Sequence, residues 1–271
     1  MEDNTRKRTI NWINKYGVTP QARFSQNFLV DDKQIKKIIE SLPIDKLEQI
    51  IEIGPGMGSL TFPLIKTNKK VTAIDFDRNM INILRSEFQH ENVQFIQEDF
   101  LKLDLSMFHV KHKGYIGNLP YQISRDLIKK IMCETSFDYF GFMVQKELGE
   151  KLLYKYKSPN TNTYSVLLKM LGELELVTEL NPIDFYPSPR VKSWFLKIEP
   201  KNGCEIDGET FDIVSTIFRN PKKNIANNFK NSKYDFNRED FEKIGISSSK
   251  RGHELSIDNI EQIVQIIKKS K

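Results

Sequence analysis

The chain has 271 residues, which is enough for one large domain and a smaller one. Hydrophobic residues make up 39% and charged residues 28%, as in an ordinary soluble globular protein, and no run approaches the roughly 18 apolar residues of a membrane span. The net charge of +5 permits nucleic-acid binding but is too small to establish it.

Signals for targeting and for metal binding are weak. The opening segment, MEDNTRKRTI, lacks the apolar core of a signal peptide, so we expect a cytoplasmic protein. Cys133 and Cys204 have no CxxC spacing, and the histidines are scattered. His109 and His112 could share a metal, but a solvated pair in a loop is the simpler interpretation, and no metal site is predicted.

The predicted elements alternate between strands and helices. Apolar residues at helical spacing predict helices over residues 33–42, 78–88 and 124–132, with a short candidate at 60–67. Short apolar runs predict buried strands over residues 48–54, 70–77, 93–100 and 114–120. Residues 138–153 begin as a strand and continue as a helix, and residues 175–200 contain two strands around a proline-rich loop.

This alternation predicts the fold class: an α/β protein with a parallel, doubly wound sheet that carries helices on both faces. Such sheets bind ligands at the carboxyl ends of their strands. After residue 200 the pattern becomes helical. We therefore predict a sheet domain over residues 1–200 and a helical domain over residues 201–271.

A glycine-rich turn, IIEIGPGMGSL (50–60), follows the first predicted buried strand. Gly54, Gly56 and Gly58 remove side chains, so that backbone can approach a ligand closely. The dinucleotide fingerprint G-x-G-x-x-G would need a glycine at residue 59, which is Ser59. A pyrophosphate site is therefore disfavoured, and a tight turn without a ligand is the alternative.

Acidic residues end the next two predicted strands. Asp75 lies where a carboxylate accepts hydrogen bonds from a ribose diol. Asp99, after Glu98, could accept a hydrogen bond from an adenine amine. Together these residues predict an adenosine-binding crevice that needs no phosphate, which fits S-adenosylmethionine better than NAD.

The segment GNLPYQIS (117–124) lies at the end of the fourth predicted buried strand. The exocyclic amine of adenine is a poor nucleophile because its lone pair is delocalised into the ring. The Asn118 side-chain oxygen and the Leu119 carbonyl could accept its two hydrogens and so localise that lone pair. Pro120 would stiffen the loop, and Tyr121 would offer a face for stacking of an extruded base.

In its succession of motifs the chain resembles the KsgA/Erm family of rRNA adenine N6,N6-dimethyltransferases over most of its length. The matching segments are RFSQNFLVDD (23–32), IEIGPGMGSLT (51–61), AIDFD (73–77), QEDFL (97–101), GNLPYQIS, QKELGEKLL (145–153) and FYPSPRVKSWFLKIEP (185–200). The resemblance implies S-adenosylmethionine as cofactor, a Rossmann-like, seven-stranded class I methyltransferase sheet and a small helical C-terminal domain.

The resemblance also implies roles for individual residues. Those assigned to the cofactor are Asn27, Leu29, Gly54, Gly56, Asp75, Asp99 and Asn118. Asn118 would serve the target amine as well, and Phe185 would stack on the target base opposite Tyr121. The chain departs from the family pattern at Asp75, where glutamate is usual, and at Ser25 and Gln122, where glycine and asparagine are common.

A basic segment lies in the predicted helical domain. Residues 215–233 carry five basic groups and no acid. A run of charges is usually a solvated face, but the amide-rich, acid-free composition adds support for phosphate binding. The predicted RNA-binding residues are Arg219, Lys222, Lys223 and Lys230. Pro221 interrupts the cluster that the family resemblance leads us to expect here, and it could reshape the helix that contacts RNA.

The family includes enzymes of more than one specificity. KsgA-type members dimethylate two adjacent adenines near the 3′ end of small-subunit (16S) rRNA during ribosome biogenesis, and Erm-type members dimethylate one adenine of large-subunit (23S) rRNA. The ending KRGHELSIDNIEQIVQII (250–267) favours the KsgA type. We expect such an enzyme to act on immature small subunits, and a monomer is the default expectation. A non-catalytic assembly or transcription factor is the alternative from another class. An NAD-dependent oxidoreductase lacks support, because residue 59 is not glycine.

Overall fold

The computed structural model describes residues 4–20, 26–201 and 203–270. Its strands are β1 (Phe28–Leu29), β2 (Gln49–Ile53), β3 (Lys70–Asp75), β4 (Val93–Gln97), β5 (Lys113–Asn118), β6 (Tyr139–Gln145), β7 (Gly172–Leu180), β8 (Phe185–Tyr186) and β9 (Ser193–Pro200). Its helices are α1 (Thr5–Tyr16), α2 (Asp32–Glu40), α3 (Thr61–Ile65), α4 (Arg78–Glu87), α5 (Ser124–Glu134), α6 (Lys146–Leu152), α7 (Thr163–Leu171), α8 (Gly208–Ile217), α9 (Ile225–Phe229), α10 (Arg238–Lys243) and α11 (Ile257–Lys269). Ser25, with the start of the matching segment 23–32, lies outside the described residues.

A seven-stranded sheet in the order β4-β3-β2-β5-β6-β9-β7 organises the first part of the chain. The five strands from β2 to β6 are parallel, as their alternation with helices predicts. Strand β9 runs antiparallel to β6, with Phe142 opposite Leu196. The predicted seven-stranded α/β class is confirmed, and its all-parallel part ends at β6.

The register of the central strands brings the glycine turn and the polar strand ends together. Ile53 at the end of β2 lies opposite Ile74 of β3 on one side and Gly117 of β5 on the other. Gly54, Asp75 and Asn118 each follow one of these three positions in the chain. They therefore lie side by side at one edge of the sheet, as the sequence predicts.

Burial of apolar strand residues holds this edge in place. All five residues of β2 are buried, and the core includes Ile50, Ile116, Met143 and Phe195, each with no exposed surface. Strands buried on both faces read as continuous apolar runs, which explains why the sequence shows them so clearly.

The chain divides into two compact units that are interleaved along the sequence. The sheet unit comprises the described residues up to 131 together with 135–149 and 175–200, and the helical unit comprises 132–134, 150–174 and the described residues from 201 onward. In the helical unit Tyr164 of α7 packs edge-on against Phe211 of α8, with ring centroids 5.6 Å apart. The separate roles predicted for residues 1–200 and 201–271 stay predictions.

Helix α1 does not follow from the apolar pattern of the sequence. Its first turn is capped by the Asn4 side chain, which accepts a hydrogen bond from the Lys7 amide, and it ends at Gly17 with φ 61°. Within the ranges that the structure describes, no helix is long and apolar enough to cross a membrane.

Candidate functional site

The glycine turn after β2 is built from left-handed backbone. Gly54, Gly56 and Gly58 have φ of 66°, 52° and 72°, values that other residues rarely adopt. A Cβ on Gly56 would lie 2.9 Å from the Phe28 ring, and one on Gly58 would lie 2.7 Å from Phe88. At Gly56 and Gly58 glycine is therefore favoured both by the backbone conformation and by the lack of space for a Cβ.

Asp75 supports this turn from the end of β3. Its carboxylate accepts hydrogen bonds from the Gly56 amide at 3.3 Å and from the Asp77 amide at 2.9 Å. Burial raises the pKa of Asp75 to about 6, although the two backbone hydrogen bonds oppose the shift. The carboxylate is therefore fixed in place beside the turn and is costly to ionise without a partner.

A cleft of about 700 Å³, part of it open to solvent, lies at this edge of the sheet. The predicted site residues that line it are Asn27, Gly54, Gly56, Asp75, Asp99, Asn118 and Pro120. The remaining walls are mainly apolar and include Phe76, Met80, Phe100, Ile123 and Leu127. This mixture of apolar walls and a few polar groups is typical of a small-molecule site.

Sequence reasoning missed these apolar walls. Phe76 follows Asp75 directly and leaves 44% of its surface exposed, which is unusual for a large aromatic side chain. Its position, immediately after a strand that ends in an acid, is the signal that could have identified it.

Leu29 does not line the main cleft. It is buried in β1 and faces a smaller adjoining cavity that is also lined by Glu52, Gly54 and Asn118. Strand β1 pairs with β8, placing Leu29 opposite Phe185 and Phe28 opposite Tyr186. The predicted cofactor segment is thereby joined to the segment predicted to meet the target base.

Glu52 is a polar residue of this region that sequence reasoning did not single out. It is 1% exposed, and its Oε2 atom accepts a hydrogen bond from the Thr61 hydroxyl at 2.6 Å. Burial, with a smaller contribution from the nearby Asp75 charge, raises the pKa of Glu52 to about 8, although the hydrogen bond from Thr61 opposes the shift. An acid inside a strand that is otherwise buried and apolar is the signal that marks it.

The Asn118 amide has a defined orientation. Its Nδ2 atom donates to the Asn27 carbonyl at 3.0 Å, which makes Oδ1 the amide atom that faces away from Asn27. The adjacent Leu119 amide donates to the Met143 carbonyl at 3.2 Å, and the Leu119 side chain is buried. The end of β5 is therefore held by the Asn118 side chain on Asn27 and by the Leu119 backbone on Met143.

The turn that follows is anchored as well. The Pro120 carbonyl accepts hydrogen bonds from the Ile123 amide at 3.1 Å and the Ser124 hydroxyl at 2.8 Å. The Tyr121 hydroxyl lies 3.1 Å from the hydroxyl of Ser193, the first residue of β9. Burial raises the pKa of the Tyr121 phenol, although the hydrogen bond with Ser193 opposes the shift.

Phe185 does not line the cleft, and neither do the predicted site residues Leu119 and Tyr121. The Phe185 side chain has no exposed surface and packs in the main core with Leu29, Leu180 and Phe195. A ring enclosed on all sides has no face on which a base can stack. The stacking role predicted for Phe185 is therefore not available in this arrangement, because core packing takes up the ring.

Three of the predicted RNA-binding residues share one concave surface of the helical unit. Arg219, Lys223 and Lys230 line it together with Asn220, Asn227, Asn228 and Asn231. Asn228 is buried, and its Nδ2 atom donates to the Ile217 carbonyl at 2.8 Å and to the Asn220 carbonyl at 3.1 Å. Lys222 is exposed outside this surface.

Comparison with known proteins places the chain in a family. Residues 18–269 match the family model described as ribosomal RNA adenine dimethylase. A ribosomal RNA small subunit methyltransferase A from Clostridium botulinum is 30% identical over 94% of this chain and 96% of its own length. The protein of the same name from Mycoplasma capricolum is 32% identical over 90% of this chain and 96% of its own length.

Solved structures agree on the fold. A dimethyladenosine transferase from Plasmodium falciparum has a TM-score of 0.76 at 24% identity, covering 89% of this chain and 98% of its own. The 23S rRNA methyltransferase ErmE has a TM-score of 0.66 at 21% identity, covering 89% of this chain and all of its own. The chain therefore belongs to the ribosomal RNA adenine dimethylase family, and the rRNA adenine dimethyltransferase activity predicted from the sequence is confirmed.

Proposed function

We propose that the chain transfers methyl groups from S-adenosylmethionine to the N6 amine of two adjacent adenines near the 3′ end of small-subunit rRNA, within an immature subunit. The observation that carries this proposal is the meeting of the glycine turn, the Asp75 carboxylate and the Asn118 amide in one cleft. The small-subunit relatives, matched over nearly their whole length, support the choice of RNA.

The residues of the cleft fit S-adenosylmethionine. The backbone at Gly54 and Gly56 leaves a surface without side chains, and the buried Asp75 carboxylate suits a pair of ribose hydroxyls. Glu98, Asp99 and Phe76 also line the cleft, and they offer carboxylate acceptors and an apolar face that suit a purine. The cofactor supplies a methyl group that is already activated as a sulfonium.

Asn118 and Leu119 are the groups proposed to act on the adenine amine. The Asn118 Oδ1 atom and the Leu119 carbonyl would accept hydrogen bonds from its two hydrogens. Its lone pair would then be localised on the nitrogen instead of being delocalised into the ring. Since Asn27 fixes the amide from the other side, the acceptor is oriented before the base arrives. Such preorganisation and the exclusion of water account for most of the proposed rate enhancement.

Tyr121 is proposed to stack on the extruded base. Its ring is fixed at the hydroxyl end by Ser193 and at the backbone by the hydrogen-bonded Pro120 turn. Stacking on one aromatic face is worth about 1–3 kcal/mol per base. Arg219, Lys222, Lys223 and Lys230 are proposed to contact RNA phosphates, which orient the substrate without reading its sequence.

The test offers purified protein and labelled S-adenosylmethionine to immature small subunits and, separately, to protein-free large-subunit rRNA, and then maps the methylated adenines. Dimethylation of an adjacent pair near the small-subunit 3′ end is expected. A single modified adenine in the large-subunit RNA would replace the proposal with an Erm-type activity. Cofactor binding without transfer to either RNA would instead indicate a binding factor.

A further inference from the structure

The loop that joins α6 to α7, residues 153–162, combines basic and aromatic residues. The segment KLLYKYKSPNTNTY (151–164) alternates lysine with tyrosine, and no acidic residue occurs between Lys151 and Gly172. The whole loop belongs to the helical unit, and it has no part in the cleft described above.

Tyr156 is the most prominent side chain of this loop. It is 55% exposed, and the Lys157 ammonium lies 5.3 Å from the centre of its ring. Elsewhere in the helical unit, Lys169, Lys233 and Lys243 each pair with an acid. Lys155 and Lys157 are exposed, and neither pairs with an acid among the described residues.

The loop is held in one shape by its own hydrogen bonds. The Lys155 carbonyl accepts from the Ser158 amide at 3.1 Å and from the Thr161 hydroxyl at 2.7 Å. The Asn162 side chain donates to the Lys151 carbonyl at 2.7 Å and to the Asn160 carbonyl at 3.1 Å. Tyr156 is therefore presented to solvent by a structured loop, which lowers the entropic cost of binding a ligand there.

Lys157 adds a backbone feature that local preference does not explain. Its φ is 58°, and the other described non-glycine residues with positive φ are asparagines, which tolerate that conformation. The turn closed by the Ser158 amide and the Lys155 carbonyl holds Lys157 in this left-handed conformation beside the exposed Tyr156 ring.

We propose that Tyr156, Lys155 and Lys157 form a binding site for an unpaired segment of the RNA substrate. A base would stack on the Tyr156 ring, and the two ammonium groups would contact the flanking phosphates. Unpaired cations around an exposed aromatic ring are the combination that single-stranded RNA requires. The inference rests on the proposed function for the identity of the RNA and adds a second place where the chain binds it.

The test measures binding of a labelled oligoadenylate of about 12 nucleotides, and of a duplex of the same length, by fluorescence anisotropy. Tyr156→Ala should raise the Kd for the single strand about tenfold, while Tyr156→Phe, which keeps the ring, should stay within about twofold. Lys155→Gln combined with Lys157→Gln should lower the salt slope by about 1. Met107→Ala, which removes an exposed apolar side chain of the sheet unit, is the matched control.

Lys157→Gly separates binding from folding. Glycine removes the ammonium group and adopts the left-handed conformation without strain, so the thermal midpoint should stay equal or rise while the affinity for the single strand falls. Equal affinity of Tyr156→Ala and the natural protein would overturn the loop proposal even if rRNA is methylated. Loss of affinity in Tyr156→Ala, without any rRNA methylation by the natural protein, would overturn the proposed function and leave the loop site standing.

Discussion

Asn118 is the side chain on which the proposed chemistry depends most directly. Asn118→Ala removes the amide acceptor for the adenine amine, so kcat should fall by about 100-fold or more. Folding should be little affected, because the change removes one partly buried hydrogen bond to Asn27, worth about 1 kcal/mol. The measurements are single-turnover methyl transfer and urea unfolding. Activity within a few-fold of the natural protein would contradict the amine-aligning role.

Because of Asp75, the stability of the folded protein and its affinity for S-adenosylmethionine should change with pH in opposite directions. Its pKa is about 6 in the folded protein and 3.8 in the reference state. The free energy of unfolding should therefore be highest below pH 4 and fall by about 3 kcal/mol as the pH rises through 6. The affinity for S-adenosylmethionine should change the other way and weaken below pH 6, because the protonated carboxyl accepts hydrogen bonds from the ribose hydroxyls less well.

Urea unfolding without cofactor and calorimetric titration with S-adenosylmethionine, each between pH 4.5 and 7.5, measure these two trends. Asp75→Asn removes the titrating group, so this part of both pH dependences should flatten. An affinity for S-adenosylmethionine that stays constant from pH 5 to 7.5 would show that Asp75 does not contact the ribose.

The glycine turn between β2 and α3 is expected to tolerate no side chain at Gly56. Gly56→Ala places a Cβ 2.9 Å from the Phe28 ring on left-handed backbone, so the free energy of unfolding should fall by about 2–4 kcal/mol. The affinity for S-adenosylmethionine should also fall, because Gly56 lines the cleft. Gly208→Ala, where a Cβ meets nothing within 4 Å, is the control and should be neutral or slightly stabilising.

The loop after β5 and the start of β9 should act together through Tyr121 and Ser193. Tyr121→Phe and Ser193→Ala each remove the 3.1 Å contact between the two hydroxyls. Each variant should lower kcat/KM for RNA by about 3–10-fold and leave the affinity for S-adenosylmethionine unchanged. The double variant should lose no more than either single variant. Strictly additive losses would mean that the two hydroxyls act separately.

The surface charge of the helical unit should govern how RNA binding responds to salt. Lys223→Gln combined with Lys230→Gln removes two cations from one concave surface, so the slope of log affinity against log salt should fall by about 1–2. Lys222→Gln should have a smaller effect, since Lys222 lies outside that surface. An unchanged slope in the double variant would leave these residues as a solvated face.

Much of the sheet unit was predictable because its strands are buried on both faces. Continuous apolar runs locate β2, β3 and β5, and the glycines and acids that follow them locate the cleft. The direction of β9 was not predictable, because local pattern contains no information on the partner of a strand. Helix α1 depends on caps at Asn4 and Gly17 rather than on an apolar stripe.

The limits of prediction within the site have equally physical causes. Phe185 was assigned by resemblance, but a phenylalanine beside a strand is as suitable for the core as for a ligand, and here the core takes it. Glu52 was overlooked because its burial depends on neighbours from β3 and β5 that are distant in sequence. Tertiary contacts decide both cases.

The short pairing of β1 with β8 carries the effect of cofactor binding beyond the cleft. Phe28 pairs with Tyr186 and Leu29 pairs with Phe185. This pairing joins a segment beside the cleft to a segment that is distant in the sequence. A molecule that restrains one of these segments also restrains the other. Binding of S-adenosylmethionine should therefore slow amide hydrogen exchange at Phe185 and Tyr186 as well as at Phe28 and Leu29.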